Sequence, residues 1–186
     1  MLAGHNPVVI ARDIQDALGS SLANALMISR TESMRSLRDA TLENYRANSD
    51  VVDSYVWLAS PDACAMCLAM SGTELSLDED MDSHQNCRCT SVPRTKSWAD
   101  IFAGTGIDAS DIPETTLDVP QGADVFAALS DTEQRDLLGP AKYNAYKDGA
   151  FTLSDLVGVS HNSVWGTSRY EKSLKDLGLD ASDYSD

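Results

Sequence analysis

The sequence lacks any apolar run of about 18 residues, the minimum for a membrane-spanning helix, so we expect no membrane partner. Basic residues are scarce, since 14 lysines and arginines face 29 aspartates and glutamates and leave a formal net charge of −15. Binding to duplex nucleic acid needs a concentrated basic face that neutralises phosphates. We therefore expect no direct sequence-specific binding to nucleic acid, whereas the acidic balance favours basic partners.

Common enzyme motifs are missing as well. The sequence contains neither the Gly-x-x-x-x-Gly-Lys loop that cradles phosphates nor the Gly-x-Ser-x-Gly turn of serine hydrolases. Zinc deaminases place His-x-Glu ahead of their Cys-x-x-Cys, whereas here the Cys-x-x-Cys comes first and Asn86 stands two residues after His84. We therefore expect a protein that is not an enzyme.

Cysteine is limited to four residues, all of which lie between Cys64 and Cys89. The segment Met1–Pro7 lacks the basic region and apolar core of a secretory signal, so we expect a reducing cytoplasm. In that compartment, clustered cysteines indicate a metal site before they indicate disulfides.

The cysteines form a metal-ligand pattern, in which Cys64-x-x-Cys67 is followed after 16 residues by His84-x-x-Cys87-x-Cys89. Two thiolates three positions apart can wrap one tetrahedral ion, and a second ligand pair then closes the site. Zinc is the default ion, because mixed thiolate and imidazole ligands suit it, and a closed site of this kind is structural. Five candidates compete for four places, so the second pair is either His84 with Cys87 or Cys87 with Cys89.

The N-terminal half predicts an α+β fold. Apolar residues spaced four apart predict helix from Pro7 to about Asn48, as one long helix or two abutting helices. β-branched and aromatic residues predict a strand at Val51–Ala59, with shorter strands at Thr73–Leu77 and Cys87–Pro93. We expect the helical part to pack on a small antiparallel sheet that carries a zinc knuckle.

The 186 residues are enough for one principal domain with a real core. The predicted organisation has four parts: a helical arm with the knuckle domain (1–95), an irregular linker (96–122), a small helical region (123–177) and an acidic tail (178–186). In the helical region, Ser130 or Asp131 is predicted to cap a helix. Two further short helices are predicted at Ala141–Asp148 and from Thr152 onward.

Several of these features stand in the order of one known family. They are Arg30-Thr31-Glu32 in a helix, a strand ending in Trp57, Asp62 before Cys64-x-x-Cys67, then Leu68 and Ser71-Gly72, and finally His84-x-x-Cys87-Arg88-Cys89. This arrangement, from about Ile10 to Pro93, resembles the phage head morphogenesis proteins, the Mu F-like minor head (minor capsid) proteins of tailed bacteriophages.

The resemblance implies a virion protein of low copy number, in the head interior or at the portal vertex, and in the host cytoplasm during assembly. Its implied partners are the portal protein and the major capsid or scaffold proteins. Its implied role is in head morphogenesis and DNA packaging or ejection. It also implies that Cys64, Cys67, His84 and either Cys87 or Cys89 hold a structural zinc ion.

Two other functions remain open from the residues alone. One is a zinc-knuckle module of a host cell that binds other proteins. The other is a metal-dependent nuclease or hydrolase, which would need an open metal position and a nearby carboxylate base. Glu74, Asp78 and Asp82 are the local candidates for that base, and a complete set of four protein ligands would exclude this function.

Overall fold

A computed structural model of the chain describes residues 6–114, 118–163 and 166–185. Within these ranges the fold is α+β, as predicted, with one three-stranded and one two-stranded antiparallel sheet. The α-helices are α1 Pro7–Leu18, α2 Leu22–Ala47, α3 Ala65–Met70, α4 Trp98–Ile101, α5 Gly122–Ala128, α6 Asp131–Leu138 and α7 Pro140–Lys147. The strands are β1 Val52–Leu58, β2 Glu74–Ser76, β3 Thr90–Thr95, β4 Val157–Asn162 and β5 Gly166–Glu171. No helix in the described ranges has the length and apolarity needed to cross a bilayer.

The N-terminal helical segment consists of two helices. Gly19 ends α1 in the left-handed conformation, with φ of 61°, which a glycine adopts without strain. The chain then reverses, and the Ser29 hydroxyl donates to the Pro7 carbonyl at 2.9 Å. The small residues Ala11, Ala25 and Ser29 are buried where the helices meet, so α1 lies close along the N-terminal half of α2.

The three-stranded sheet has the order β2-β1-β3, with β1 in the centre. Tyr55 on β1 stands opposite Leu75 on β2 and Pro93 on β3. Each predicted strand is confirmed, but β3 begins at Thr90 rather than at Cys87, because the cysteines before it turn into the interior.

The first core lies between α2, the sheet and α3. Trp57 and Tyr55 are almost completely buried there against Leu42 of α2 and Met66 of α3. The Arg169 guanidinium of β5 lies 5.7 Å from the centroid of the Trp57 ring. The second sheet is therefore tied to the first core through a cation–π contact.

The second core joins α3 to the C-terminal elements. Its buried residues are Ala65, Leu68, Phe126, Leu138, Ala145, Phe151, Leu153, Leu156 and Leu174. The predicted cap of α6 is confirmed, since the Ser130 hydroxyl accepts from the Glu133 amide and the Glu133 carboxylate accepts from the Ser130 amide. α3 supplies side chains to both cores.

The C-terminal part departs from the sequence prediction after Thr152, and the segment 96–122, which is predicted to be an irregular linker, contains the short helix α4. The short helix predicted from Thr152 is a 3-10 turn at Leu153–Leu156, and the chain continues directly into the unpredicted hairpin β4–β5. The acidic tail forms another 3-10 turn, Ala181–Tyr184, which packs on α7 because the Asn144 side chain donates to the Tyr184 carbonyl at 3.0 Å.

The approach of α5 to the end of α3 requires a glycine. The Gly122 amide donates to the Ser71 carbonyl at 2.9 Å. A Cβ at this position would lie 1.6 Å from the Leu68 carbonyl oxygen, so any larger residue forces the two backbones apart.

We expect Gly122→Ala to lower the free energy of unfolding by about 1–3 kcal/mol, the usual cost of overpacking a well-packed contact. Urea denaturation measures this difference. Ala123→Ser, at the exposed next position of α5, is the matched control and should change stability little. Equal stability of the Gly122 variant and the control would contradict the close approach of these elements.

Candidate metal centre

The first ligand pair lies at the start of α3. Cys64 is the N-cap residue of this helix and Cys67 lies in its first turn, so the spacing of three places both thiols on one side. No helix is predicted at this pair from the sequence. Ala65-Met66-Cys67-Leu68-Ala69-Met70 consists mostly of good helix formers, which is the signal that indicates it.

The second group of ligands lies between β2 and β3. The His84 Nε2 atom is 3.4 Å from Cys64 Sγ and 3.0 Å from Cys67 Sγ. The Cys67 and Cys87 sulfur atoms are 3.6 Å apart. A tetrahedral zinc ion with bonds of about 2.3 Å to sulfur and about 2.0 Å to nitrogen places its donors about 3.5–3.8 Å apart. The separations of 3.4 and 3.6 Å are close to those edges, whereas the separation of 3.0 Å between Cys67 and His84 is about 0.5 Å shorter.

All five predicted ligands belong to one cluster. Cys64, Cys67 and His84 form one group of donor atoms within 4.8 Å of one another, and Cys67, Cys87 and Cys89 form a second such group. Cys67 is common to both groups. The cluster can therefore hold a metal ion.

Burial differs across the cluster. Cys67, Cys87 and Cys89 are each at most 2% exposed, whereas Cys64 and His84 are partly exposed. These two partly exposed ligands line a surface pocket of about 240 Å³. Arg88 and Asp62 also line this pocket and form an ion pair with each other. An ion can therefore enter from this side, while the other three thiols form the inner wall of the site.

Hydrogen bonds within the cluster shift the protonation of its members in opposite directions. Hydrogen bonds with Cys67 and then with His84 lower the pKa of Cys64 to about 4. Hydrogen bonds with Cys64 and Cys87 raise the pKa of His84 to about 10. A thiolate beside a cationic imidazole is a centre of paired charge, and a metal cation can take the place of the imidazole proton.

The orientation of His84 is fixed by the backbone. Its Nδ1 atom is 2.6 Å from the Gln85 carbonyl oxygen, to which it donates, and this bond leaves Nε2 directed at the thiols. A backbone carbonyl on the distal nitrogen is a usual way to set the tautomer of a metal-binding histidine.

Arg38 of α2 binds the backbone of the second ligand segment, a role that is not predicted from the sequence. This residue is 8% exposed, and its Nη2 donates to the carbonyls of Cys87 at 3.0 Å and Cys89 at 2.9 Å. Its Nε also donates to the Cys89 carbonyl at 3.1 Å, and its Nη1 donates to the Ser83 hydroxyl at 2.6 Å. The available signal is its position seven residues after Thr31, on the same helix face.

Thr31, two helical turns before Arg38 on α2, binds the same segment. Its hydroxyl donates to the Met27 carbonyl at 2.7 Å and accepts from the Asn86 amide at 2.9 Å. Asn86 has a φ of 60°, a left-handed conformation that asparagine tolerates better than most residues. Thr31 and Arg38 thus fix both sides of the turn that presents Cys87.

The other residues that carry the family resemblance have different positions. Glu32 pairs with Arg35 at 3.3 Å, and Arg30 is exposed.

Glu74, one candidate base, accepts a hydrogen bond from Arg94 at 2.6 Å and is engaged at the sheet. The carboxylate of Asp82, another candidate base, does not belong to the donor cluster. The Asp82 backbone carbonyl accepts a hydrogen bond from the Arg169 guanidinium at 2.8 Å.

Comparison of the chain with family models, with curated proteins and with solved structures gives no match in any of the three cases. What the centre can bind therefore follows from its own donor atoms. Four thiols and one imidazole suit a thiophilic cation such as zinc far better than Mg²⁺ or Ca²⁺, which prefer oxygen.

We expect Arg38→Met to weaken metal binding by about 10- to 100-fold, the usual effect of losing a group that orients metal ligands. The apolar side chain leaves the Cys87 and Cys89 carbonyls without their donor. Competition against a chromophoric chelator measures the affinity. Arg35→Met, which removes a cation one turn earlier on α2, is the matched control. Equal affinities of the two variants would contradict the role of Arg38.

Acid is expected to expel the metal. A thiol whose pKa is lowered on folding, here from 9.0 to about 4, stabilises the folded state fully above pH 9.0 and loses this contribution progressively as the pH falls to about 4. The metal should therefore stay bound at neutral pH and leave as the pH falls toward about 4. Elemental analysis of protein desalted at each pH measures retention. Loss of metal on raising the pH from neutrality to mild alkalinity would contradict this direction.

Proposed function

We propose that the cluster is a structural zinc site whose four ligands are Cys64, Cys67, His84 and Cys87. Their donor atoms supply the separations of 3.0, 3.4 and 3.6 Å that approach tetrahedral edges. Cys87 and Cys89 both group with Cys67, but it is Cys87 that also shares a hydrogen bond with His84, and Cys89 is therefore the fifth donor outside the set. A zinc ion with four protein ligands has no position for a water molecule, so the role of the ion is to hold the fold.

The elements that the ion would join are too short to be stable without additional support. β2 has only three residues, and a small sheet of short strands is marginal by itself. α3 has six residues, fewer than an isolated helix needs for stability in water. An ion bound between α3 and the segment before β3 would fix both elements against α2.

We further propose that the protein is a minor head protein of a tailed phage. The observation that carries this proposal is that most of the residues on which the family resemblance rests meet around one centre. Thr31 binds the turn at Asn86, Trp57 lies in the core beside the thiols, and Arg88 pairs with Asp62 at the pocket. Their shared location around the cluster supports the proposal that the residues of the motif serve one structural role.

The proposed partners are the portal protein and the major capsid or scaffold proteins. The net charge of −15 disfavours contact with packaged DNA and favours basic protein surfaces. The protein would act as an assembly component of the head. It would consist of a domain that the zinc ion stabilises and of the helical hairpin α1–α2 attached to it.

We expect purified protein to carry about one zinc ion per chain, and Cys64→Ser to lose it together with several kcal/mol of stability, since structural zinc binding is also folding free energy. Elemental mass spectrometry and thermal unfolding measure both quantities. Cys89→Ser is the matched control, because it removes a buried thiol outside the proposed ligand set and should keep the ion. Full zinc content in the Cys64 variant would refute the proposed site.

Assembly is tested by co-expressing the chain with the portal, scaffold and major capsid proteins of a phage that encodes it. The wild-type chain should sediment with procapsids in few copies, and Cys64→Ser should be depleted from them. If the zinc-loaded wild-type chain stays entirely in the soluble fraction, the head function is wrong, and a protein-interaction module of a host cell becomes the better assignment.

A further inference from the structure

We propose that the donor cluster is also a binding site for two copper(I) ions, which share the sulfur atom of Cys67. The five donor atoms form two groups of three, in each of which all atoms lie within 4.8 Å of one another. Cys64, Cys67 and His84 form the outer group, and Cys67, Cys87 and Cys89 form the inner group. This inference extends the zinc site proposed above, and only its displacement step rests on that proposal.

The number of donors favours two copper(I) ions. Zinc takes four protein ligands in a closed tetrahedral site, so one of the five donors is left over. Copper(I) is a soft monovalent ion, for which two or three thiolate or imidazole donors are sufficient. A thiolate sulfur has enough lone pairs to bridge two ions. With Cys67 shared, the five donors therefore complete two three-coordinate sites, and none is left over.

Burial makes the inner group suited to a three-coordinate ion. Cys67, Cys87 and Cys89 are each at most 2% exposed, and they belong to the same buried core as Trp57 and Met66. A zinc ion held by these three thiols alone would need a fourth ligand, and their burial disfavours a water molecule in that position. A copper(I) ion is complete with the three sulfur atoms.

The surroundings of the cluster allow copper(I) to enter and offset the charge of four thiolates. The outer group borders the pocket of about 240 Å³, which leads from the surface to the donors. Beside the inner group, the buried Arg38 donates to the carbonyls of Cys87 at 3.0 Å and Cys89 at 2.9 Å. Its guanidinium therefore places a positive charge next to the inner thiolates.

Copper binding replaces one zinc ion and one proton. In the zinc form, the thiolates of Cys64, Cys67 and Cys87 and the neutral imidazole of His84 bind the ion, and Cys89 remains a thiol. Two copper(I) ions then bind, the S–H bond of Cys89 breaks, and one zinc ion and one proton leave. No atom changes its oxidation state, so the exchange needs no oxidant or reductant.

Anaerobic titration of the zinc-loaded full chain with copper(I), supplied as its acetonitrile complex, tests the proposal. Native mass spectrometry counts the bound copper, and the chromophoric chelator pyridylazoresorcinol counts the released zinc. We expect two copper ions to bind and one zinc ion to leave. X-ray absorption of the loaded protein should show copper–copper scattering, because both ions contact one sulfur atom.

Variants separate the two groups. Cys89→Ser removes a donor of the inner group only, so it should keep its zinc ion, bind one copper(I) ion and lose the copper–copper scattering. Cys64→Ser removes a donor of the outer group only, so it should bind one copper(I) ion although it has lost zinc. Ser91→Ala, on β3 outside the cluster, is the matched control and should bind two. Circular dichroism confirms that each variant is folded.

The copper count decides the outcome. A wild-type chain that binds one copper(I) ion, or three or more, would overturn the proposal, and so would a folded Cys89→Ser variant that still binds two. A wild-type chain that carries no zinc but binds two copper(I) ions would contradict the zinc site and support this proposal. The two proposals can therefore fail separately.

Discussion

The two-sided packing of α3 is the constraint on which the rest of the molecule depends. One side of this six-residue helix presents Cys64 and Cys67 to the donor cluster, and Ala65 and Leu68 pack into the second core. So short a helix does not persist alone. The helix is therefore supported by packing on both of its sides, and it couples the first core to the C-terminal elements.

Arg38 shows how a strongly polar centre is tolerated inside this fold. Burying a guanidinium is costly unless its donors are satisfied, and here the donors are directed at the carbonyls of Cys87 and Cys89 and at the Ser83 hydroxyl. The same bonds orient the backbone that carries the inner thiols. One buried cation thus satisfies the carbonyl oxygens of the ligand turn and fixes its position relative to α2.

The sequence was sufficient for features that rest on local pattern and insufficient for those that rest on tertiary contact. The ligand spacing predicted the five clustered donors, and the run of β-branched and aromatic residues predicted β1. The hairpin β4–β5 was missed because its strands are largely polar, as the facing pair Ser160 and Ser168 illustrates, so no hydrophobic period marks them. Arg38 was missed because its partners are backbone carbonyls about 50 residues away, which side-chain patterns do not report.

The shared helix also sets an order of events during synthesis. The second core, against which α3 packs, includes Leu156 and Leu174, and both follow the first ligand pair by a long stretch of sequence. While the ribosome is still extending the chain, Cys64 and Cys67 are already in solution, but the surface that supports their helix has not yet emerged. The donor cluster therefore reaches its finished geometry only after the residues of the second core have left the ribosome, and the first ligand pair waits in an unsupported segment until then.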